Sequence, residues 1–284
     1  MYDGRHSVTF FPDGLDGNMV NTWDDFGLIP TKRPVFDPPE VNYANYVQSS
    51  ELDTLNLQAN LNRRGIPSTR HASWNFIAYH ENVSDEPNPY ASDPSYIDDG
   101  TLYNQPTLYS RLMYTLHGRN CTIRLRDDAD EFFYRGLVEI KGWNAEDHFS
   151  EVTIEVTADP YKYVRNPVTV TISGQATYSF IADTKFITPS IVTVTPNGTL
   201  NSLTMGGFAF NRLTNESNDI VLKSLRRNTP VVINGELKTI TENGANKFKD
   251  SELWAFPCVK PGVNLVTLST STVNVTISYT PRWM

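Results

Sequence analysis

Four carboxylates stand close together in the chain, at Asp127, Asp128, Asp130 and Glu131. Such a group could bind calcium through its oxygens or supply an acid–base pair for hydrolysis. It lacks the residue order of an EF-hand loop and the glycine at that loop's sharp turn. Alternating apolar and polar residues flank the cluster, which predicts two strands joined by a solvated turn. We therefore interpret these carboxylates as a hairpin turn.

The other residue types that support catalysis are scattered. Zinc motifs place two ligands within a few residues, whereas the histidines stand singly at His6, His71, His80, His117 and His148. No Gly-x-Ser-x-Gly elbow is present, and Met205-Gly206-Gly207 lacks the Lys-Ser/Thr of a phosphate loop. The sequence therefore assigns no catalytic, cofactor-binding or metal-binding residue. It predicts a protein without a cofactor that is not an enzyme.

The acidic turn lies within residues 106–163, the stretch that organises the first half of the chain. Apolar residues recur at helical spacing between Pro106 and Gly118, namely Leu108, Leu112, Met113 and Leu116. Alternation then predicts strands around residues 123–126, 132–140 and 152–156. We expect a helix followed by a meander that ends at Asp159-Pro160-Tyr161-Lys162.

Other strands and loops of the first half follow from the same patterns. Residues 5–11 predict a first strand that ends at a Pro-Asp-Gly turn, and residues 70–79 predict a half-buried strand. Residues 80–100 are polar, acidic and rich in proline, which predicts a long surface loop before the helix.

Composition favours strands and gives the two halves different charges. The 284 residues include fourteen Tyr and fourteen Phe, and aromatic residues are enriched in strands. Residues 1–165 carry 14 Lys+Arg against 25 Asp+Glu, a net charge of −11, and the remainder carries +3. The acidic half is not a general nucleic-acid binder, because neutralising phosphates requires clustered Lys and Arg. Cys121 and Cys258 are predicted to be buried and reduced.

The second half contains many short alternating segments and no helical pattern. Predicted strands cover residues 168–172, 178–181, 191–194, 208–210, 220–222, 231–233, 263–268 and 273–279. Turn signals such as Asn234-Gly235 and Asn243-Gly244 separate them. The composition changes near Arg165 to Pro167, so we predict two domains, residues 1–165 and 166–284. The second is predicted to be a β-sandwich.

The order of several short motifs resembles the distal tail protein of siphophages. That family has a helix ending in "lhG", an acidic turn, a "yY.G" strand, a Trp-containing turn and a closing "PYK". The matching positions here are Leu116 to Gly118, Asp127 and Asp128, Tyr134 and Gly136, Trp143, and Pro160 to Lys162. Residues 21–30 are similar to the family's "n.w.dfGLi" element. Pro38-Pro39-Glu40, Tyr43, Tyr46 and Val47 resemble the start of an arm, but Ser49-Ser50-Glu51 departs from the glycines found there.

The second half also resembles this family. The residues that carry the similarity are Thr188 to Ile191, Val231 to Gly235, Asn246 to Asp250, Leu253 to Pro257, Pro261 to Asn264 and Ser278 to Trp283. The resemblance implies a mainly β fold: an N-terminal tail-tube-like β-sandwich with one α-helix and a C-terminal galectin-like β-sandwich. The terminal Pro-Arg-Trp283 is interpreted as an indole that closes the sandwich edge.

The resemblance implies a structural hub of the tail tip or baseplate. The first domain would form a homohexameric ring that continues the tail tube, and the second would be peripheral. Implied partners are the chain itself, the tail tube protein, the tape-measure protein and tail-tip or receptor-binding proteins. DNA would only pass through the lumen, without specific binding.

The implied location is the virion, at the distal end of the tail. Neither a signal peptide nor an apolar run long enough to cross a bilayer occurs in the sequence, so we expect assembly in the host bacterial cytoplasm and no membrane insertion.

Two alternatives of other classes stay open. A carbohydrate-binding β-sandwich protein that aids host adsorption would stack sugar rings on exposed aromatic residues. Trp254 and Tyr279 are the candidates, although their strand-like context predicts burial. A tail-associated hydrolase is the other alternative, and the missing catalytic constellation speaks against it.

Overall fold

The computed structural model describes residues 4–42, 47–49, 53–55, 66–79, 105–129, 131–145, 149–210 and 217–284. The chain divides into two compact units, Met1–Lys162 and Tyr163–Met284. Both consist mainly of antiparallel strands, and the described residues contain one α-helix. The predicted mainly β fold is confirmed. Within the described ranges, no helix combines the length and apolarity that a bilayer span requires.

The first unit contains one large sheet, two small hairpin sheets and the helix. Its elements are β1 (Val8–Phe11), β2 (Val20–Asn21), β3 (Ile29–Pro30), β4 (Val41–Asn42), β5 (Val47–Ser49), β6 (Asp53–Leu55), β7 (Ile66–Pro67), β8 (Arg70–Tyr79), α1 (Gln105–Leu116), β9 (Arg119–Leu125), β10 (Phe132–Ala145) and β11 (Phe149–Ala158), followed by β12 (Lys162–Val164). The large sheet has the order β2-β1-β9-β10-β11-β8-β3, and β4 pairs with β7 and β5 with β6.

The large sheet curls around its own aromatic core. Four strand intervals separate β1 from β8, which corresponds to about 19 Å in a flat sheet. Yet the ring centroids of Phe10 on β1 and Trp74 on β8 are only 6.4 Å apart. Phe36 lies between the walls, 5.2 Å from Trp74 and 4.1 Å from Tyr134. Strong curling therefore gives the unit its sandwich-like interior.

Helix α1 closes this core. Leu108, Leu112 and Leu116 recur every four residues, so they share one helix face, and each is at most 1% exposed. They join the same apolar cluster as Ile123 and Val138 of the sheet. The predicted helix is confirmed.

The second unit is formed by two sheets that share one apolar core. Its strands are β13 (Val168–Ser173), β14 (Thr177–Ala182), β15 (Thr188–Pro196), β16 (Leu200–Phe210), β17 (Ser217–Leu225), β18 (Val231–Asn234), β19 (Thr239–Glu242), β20 (Ala245–Asn246), β21 (Ser251–Glu252), β22 (Cys258–Val259), β23 (Gly262–Leu268), β24 (Val273–Tyr279) and β25 (Arg282–Trp283). A short 3₁₀ helix spans Phe248–Asp250. One sheet runs β13-β24-β15-β18-β19-β20, with β22 beside β15, and the other runs β14-β23-β16-β17-β21.

Local residue choices explain the turns of the second unit. Asn243 and Gly244 have φ values of 49° and 79°, which fits the two-residue hairpin loop that joins β19 to β20. Gly235 is required by a close approach instead, because a Cβ there would lie 2.1 Å from the carbonyl oxygen of Pro257. The Oδ1 of Asn234 accepts hydrogen bonds from the backbone amides of Glu236 and Leu237, while the amide of Gly235 donates to the carbonyl of Ser190.

Several sequence-based predictions can be compared directly with these elements. Strands were expected at eight segments of the second half, and each overlaps an observed strand. Strands β19 to β22 and β25 were not predicted. Both cysteines are buried and free, as expected. Other expectations concern residues outside the described ranges, namely Tyr43, Tyr46, Ser50, Glu51, the predicted loop at 80–100 with His80, Asp130 and His148.

Candidate functional site

The carboxylate of Asp127, the first of the acidic turn, lies against basic side chains of the protein itself. Its Oδ2 is 2.7 Å from Nδ1 of His6 and 3.1 Å from Nε of Arg33. The neighbouring residue Arg126 is also bound to the N-terminal segment. Its backbone amide donates a hydrogen bond to the carbonyl of Ser7, and its guanidinium donates one to the carbonyl of Gly4. Asp127 thus fastens the turn to the start of the chain.

Asp128 belongs to a second, deeper cluster. Its Oδ2 lies 3.1 Å from Nζ of Lys162 and accepts a hydrogen bond of 2.9 Å from the Tyr134 hydroxyl. The guanidinium of buried Arg70 lies 5.8 Å from the centre of the Tyr134 ring and donates to the carbonyl of Pro160 at 2.7 Å. The cluster therefore joins the acidic turn, the β10 tyrosine and the Pro160 to Lys162 motif.

Burial and charge shift two ionisation equilibria in this cluster. Burial, reinforced by the nearby carboxylate of Asp128, raises the pKa of Tyr134 well above its ordinary value. Burial lowers the pKa of Arg70, while Tyr134 and Asp128 act in the opposite direction. The carboxylate of Asp127 contacts His6 and Arg33, and that of Asp128 contacts Lys162 and the Tyr134 hydroxyl. These contacts hold the turn against neighbouring segments of the chain. Within the described ranges, no three His, Cys, Asp or Glu residues are grouped as metal ligands.

The end of α1 is fastened to β10 by the next motif. The amide of Ile140 donates to Nδ1 of His117 at 3.0 Å, and the amide of Gly118 donates to the carbonyl of Val138 at 2.8 Å. Gly118 has a φ of 73°, a conformation that favours glycine. On the same strand, a Cβ at Gly136 would lie 2.7 Å from the carbonyl oxygen of Thr157. These residue types are therefore explained by packing.

Asn21 organises the helical turn between β2 and β3. Its Oδ1 accepts hydrogen bonds from the backbone amides of Trp23 and Asp24. The backbone amide of Asn21 donates in turn to the carboxylate of Asp25. This reciprocal arrangement resembles a capping box. The turn places Phe26 and Leu28 in the core, 2% and 0% exposed. Trp23 of the same turn is only partly buried.

The histidines do not converge. His6 contacts Asp127, and His117 accepts from Ile140. His71 lies on the surface, with Nε2 3.7 Å from a carboxylate oxygen of Glu40. None of these three described histidines shares a cluster with another.

The second unit carries an open groove with a volume of about 720 Å³. Its lining residues combine apolar rings with a few polar groups: Pro189, Phe210, Asn218, Lys238, Trp254, Ala255, Phe256, Pro257 and Cys258. The ammonium of Lys238 lies 5.2 Å from the centre of the Phe256 ring, and that of Lys260 lies 3.5 Å from the centre of the Phe210 ring. We call this feature the aromatic groove.

Trp254 corrects a sequence-based expectation. Its context predicted burial, but the side chain is 93% exposed because Trp254 lies in the bend between β21 and β22 and not within a strand. The other candidate, Tyr279, is 3% exposed and belongs to the core, as expected. The signal that sequence reasoning missed was the short spacing between Trp254 and the prolines that follow, which favours a loop.

The terminal tryptophan contacts the same unit. Trp283 on β25 is partly buried, and the ammonium of Lys185 lies 4.7 Å from the centre of its ring. Strand β25 pairs with β12 and, among the described residues, with no strand of the two sandwich sheets, so closure of the sandwich edge by this indole stays a prediction.

One protein-family model matches most of the second unit. Residues 183–283 match the model of the siphovirus-type tail component, C-terminal domain. The resemblance to phage tail components that the sequence motifs indicated is confirmed. No curated protein matches the sequence.

One solved structure extends the similarity over nearly the whole chain. The crystal structure of SPP1 Dit (gp 19.1), described as a paradigm of the hub adsorption apparatus in phages that infect Gram-positive bacteria, is 12% identical and has a TM-score of 0.63. The match covers 98% of this chain and 99% of that one. A chain of the phage P2 baseplate in its activated conformation with Ca is 11% identical, with a TM-score of 0.38 and coverage of 96% and 97%. The protein thus has the fold of SPP1 Dit.

Proposed function

We propose that this protein is a distal tail protein, the structural hub at the tip of a siphophage tail. In this role it forms a homohexameric ring that continues the tail tube and attaches tail-tip or receptor-binding proteins. The observation that carries the proposal is the fold shared with SPP1 Dit over nearly the whole chain, together with the tail-component domain at residues 183–283.

The contacts of the sequence motifs support a non-enzymatic role. Asp128, Tyr134 and Lys162 bind one another, and His117 and Gly118 fasten the helix to β10. Each motif residue is occupied in holding strands, turns and the helix in place. Such a rigid unit suits a ring subunit, because ring closure requires every copy to present the same surface to its neighbour.

The two units would divide this work. We assign ring formation to a tail-tube-like domain, residues 1–165, and partner attachment to a peripheral galectin-like β-sandwich, residues 166–284. The neighbours would be the tail tube protein, the tape-measure protein and tail-tip or receptor-binding proteins. The protein would reside at the distal end of the tail in the virion after assembly in the host bacterial cytoplasm.

One face of the large sheet suits the lumen of such a ring. Strand alternation directs Glu139, Glu151 and Glu155 away from the core, and Glu139 and Glu155 are direct partners in the β10–β11 register. The ammonium of Lys141 lies 3.0 Å from Glu139 and offsets part of this charge. Like charges opposite each other weaken strand pairing. In a narrow bore they would repel the DNA backbone during passage and prevent specific binding. A ring structure with these glutamates outside the bore would contradict this assignment.

Light scattering coupled to size exclusion tests the ring directly. The expected species contains about six copies of the chain, or forms after addition of tail tube protein, and negative-stain images should show a central opening. A protein that stays monomeric at micromolar concentration, with and without tube protein, would refute the proposal. Fragments 1–165 and 166–284 then test the division of roles, since only the first should assemble.

A second candidate function is carbohydrate binding that aids host adsorption. One observation favours it, the nearly complete exposure of Trp254 at the aromatic groove. It is compatible with the hub role, because a peripheral domain can contact the host surface. Glycan binding by the purified chain tests it independently of ring formation.

A further inference from the structure

We propose that the aromatic groove binds a saccharide that bears an acidic group, with one sugar ring stacked on Trp254 and the acidic group directed to Lys238. The proposal rests on the second candidate function, carbohydrate binding, and not on the hub role.

The form of the groove favours a ring-shaped small ligand. Its volume of about 720 Å³ lies within the range of roughly 300–1,000 Å³ that small-molecule sites occupy. Trp254 is 93% exposed, so the indole can receive a ligand without displacement of a protein side chain. The face of a pyranose presents C–H groups, which suit the electron-rich face of an indole.

Exposed apolar residues next to other lining residues of the groove extend this apolar surface. Phe248, 49% exposed, lies 6.4 Å from Phe256 between ring centroids. Leu237, which precedes the lining residue Lys238, is 70% exposed. Isolated exposed apolar residues are common on protein surfaces, but a group beside a concave site indicates binding.

The polar groups of the groove determine the charge of the ligand. Lys238 is a lining residue whose ammonium donates to the carbonyl of Gly235 and stacks on Phe256, so an acidic ligand would approach a cation that is already held in place. Lys260 stacks on the lining residue Phe210. No carboxylate is present among the described lining residues. An acidic saccharide therefore complements the groove electrostatically, and the amide of Asn218 offers both donors and an acceptor to sugar hydroxyls.

Titration of the full-length protein with defined tetrasaccharides tests this inference. Uronic acid probes from alginate, polygalacturonate and hyaluronan are compared with neutral cellotetraose and maltotetraose by calorimetry and NMR. We expect at least one uronic acid probe to bind with a dissociation constant of about 1 mM or lower. Neutral probes should bind at least about tenfold more weakly, a difference of about 1.4 kcal/mol.

Three variants locate the site. Trp254→Ala should weaken binding of the uronic acid probe at least tenfold, and Lys238→Gln should weaken it while reducing the preference over neutral probes. Tyr114→Ala is the matched control, because Tyr114 is an exposed aromatic residue, 81% exposed, on α1 of the other unit; its binding should equal that of the wild type. Circular dichroism verifies that each variant is folded.

Each contrary result has a distinct meaning. Uronic acid binding that survives Trp254→Ala would overturn the site but leave carbohydrate binding in place. Preference for neutral probes would overturn the acidic ligand. Failure of all five probes to bind would overturn the inference and count against the second candidate function. A tail-tip protein that loses binding on Trp254→Ala, with no saccharide bound, would reassign the groove to a protein partner.

Discussion

Replacement of Gly136 by alanine should destabilise the first unit through a backbone clash between paired strands. Gly136 on β10 is the register partner of Ala158 on β11. An added Cβ would lie 2.7 Å from the carbonyl oxygen of Thr157 and 2.8 Å from the Cα of Ala158. Both are backbone atoms of β11, so rotation of a side chain cannot relieve the contact. The two strands must move apart by several tenths of an ångström.

The expected magnitude follows from two opposing effects. Overpacking of this kind costs about 1–3 kcal/mol, and a weakened ladder hydrogen bond adds about 1 kcal/mol. Alanine also restricts the unfolded chain, which returns about 0.4–1 kcal/mol. The free energy of unfolding should therefore fall by about 1–3.5 kcal/mol, which corresponds to a decrease in Tm of about 3–10 °C for a unit of this size.

Gly142→Ala is the matched control on the same strand. There the nearest atoms are Oγ1 and Cβ of Thr153, at 3.1 and 3.3 Å, and a threonine side chain can adjust. Gly142 also lies at the irregularity between Ile140 and Gly142 in the β10–β11 register. Calorimetric or chemical unfolding of both variants compares the two costs. If Gly136→Ala destabilises the protein no more than Gly142→Ala, the backbone-clash argument is refuted.

Three further predictions concern ionisable groups of the first unit. Because the pKa of Tyr134 is raised in the folded state, the free energy of unfolding should fall above the ordinary tyrosine pKa of about 10, by up to about 1.4 kcal/mol per pH unit. Urea unfolding of Tyr134→Phe across this pH range should lack that contribution. If the free energy of unfolding of the variant falls with pH as steeply as that of the wild type, the prediction is contradicted. Asp128→Asn weakens the contacts with Lys162 and Tyr134 and should lower the free energy of unfolding by about 1–2 kcal/mol at neutral pH. Chemical unfolding measures this change, and an unchanged free energy of unfolding would show that the cluster is dispensable for stability. Burial raises the pKa of Cys121 to about 11. At pH 8 this thiol should therefore react with a disulfide reagent far more slowly in the native than in the unfolded protein. Equal labelling rates of the two states, measured by mass spectrometry, would contradict the burial of Cys121.

Much of the fold could be predicted because alternation and burial coincide. The strand predicted at residues 70–79 is β8, Arg70–Tyr79, with Ala72, Trp74, Phe76 and Ala78 directed to the core. The helix was likewise encoded by leucines at intervals of four and a glycine at its end. Such local patterns do not state which strands are neighbours, so the curl that brings Phe10 to Trp74 was not predicted. It depends on contacts between residues far apart in the chain.

The acidic turn and the aromatic groove differ in what the sequence reveals. The turn joins β9 to β10, as predicted, but its partners His6, Arg33 and Lys162 come from distant segments, and no local spacing identifies them. The groove was missed because a tryptophan next to a strand-like segment predicts burial on average, while its exposure depends on where β21 ends.

One residue pair shows why motif similarity leads to the fold more securely than to the site. Tyr134 and Lys162 belong to the motifs that resemble the distal tail family, and both contact Asp128. The carboxylate of Asp128 favours a hydroxyl at position 134 and a cation at position 162. These two residue types therefore stabilise any chain that has this strand arrangement. Trp254 is constrained by no such internal partner, because its side chain is almost entirely exposed. What such a residue binds is set by molecules outside the chain, so saccharide titration of the wild type and of Trp254→Ala tests its role directly.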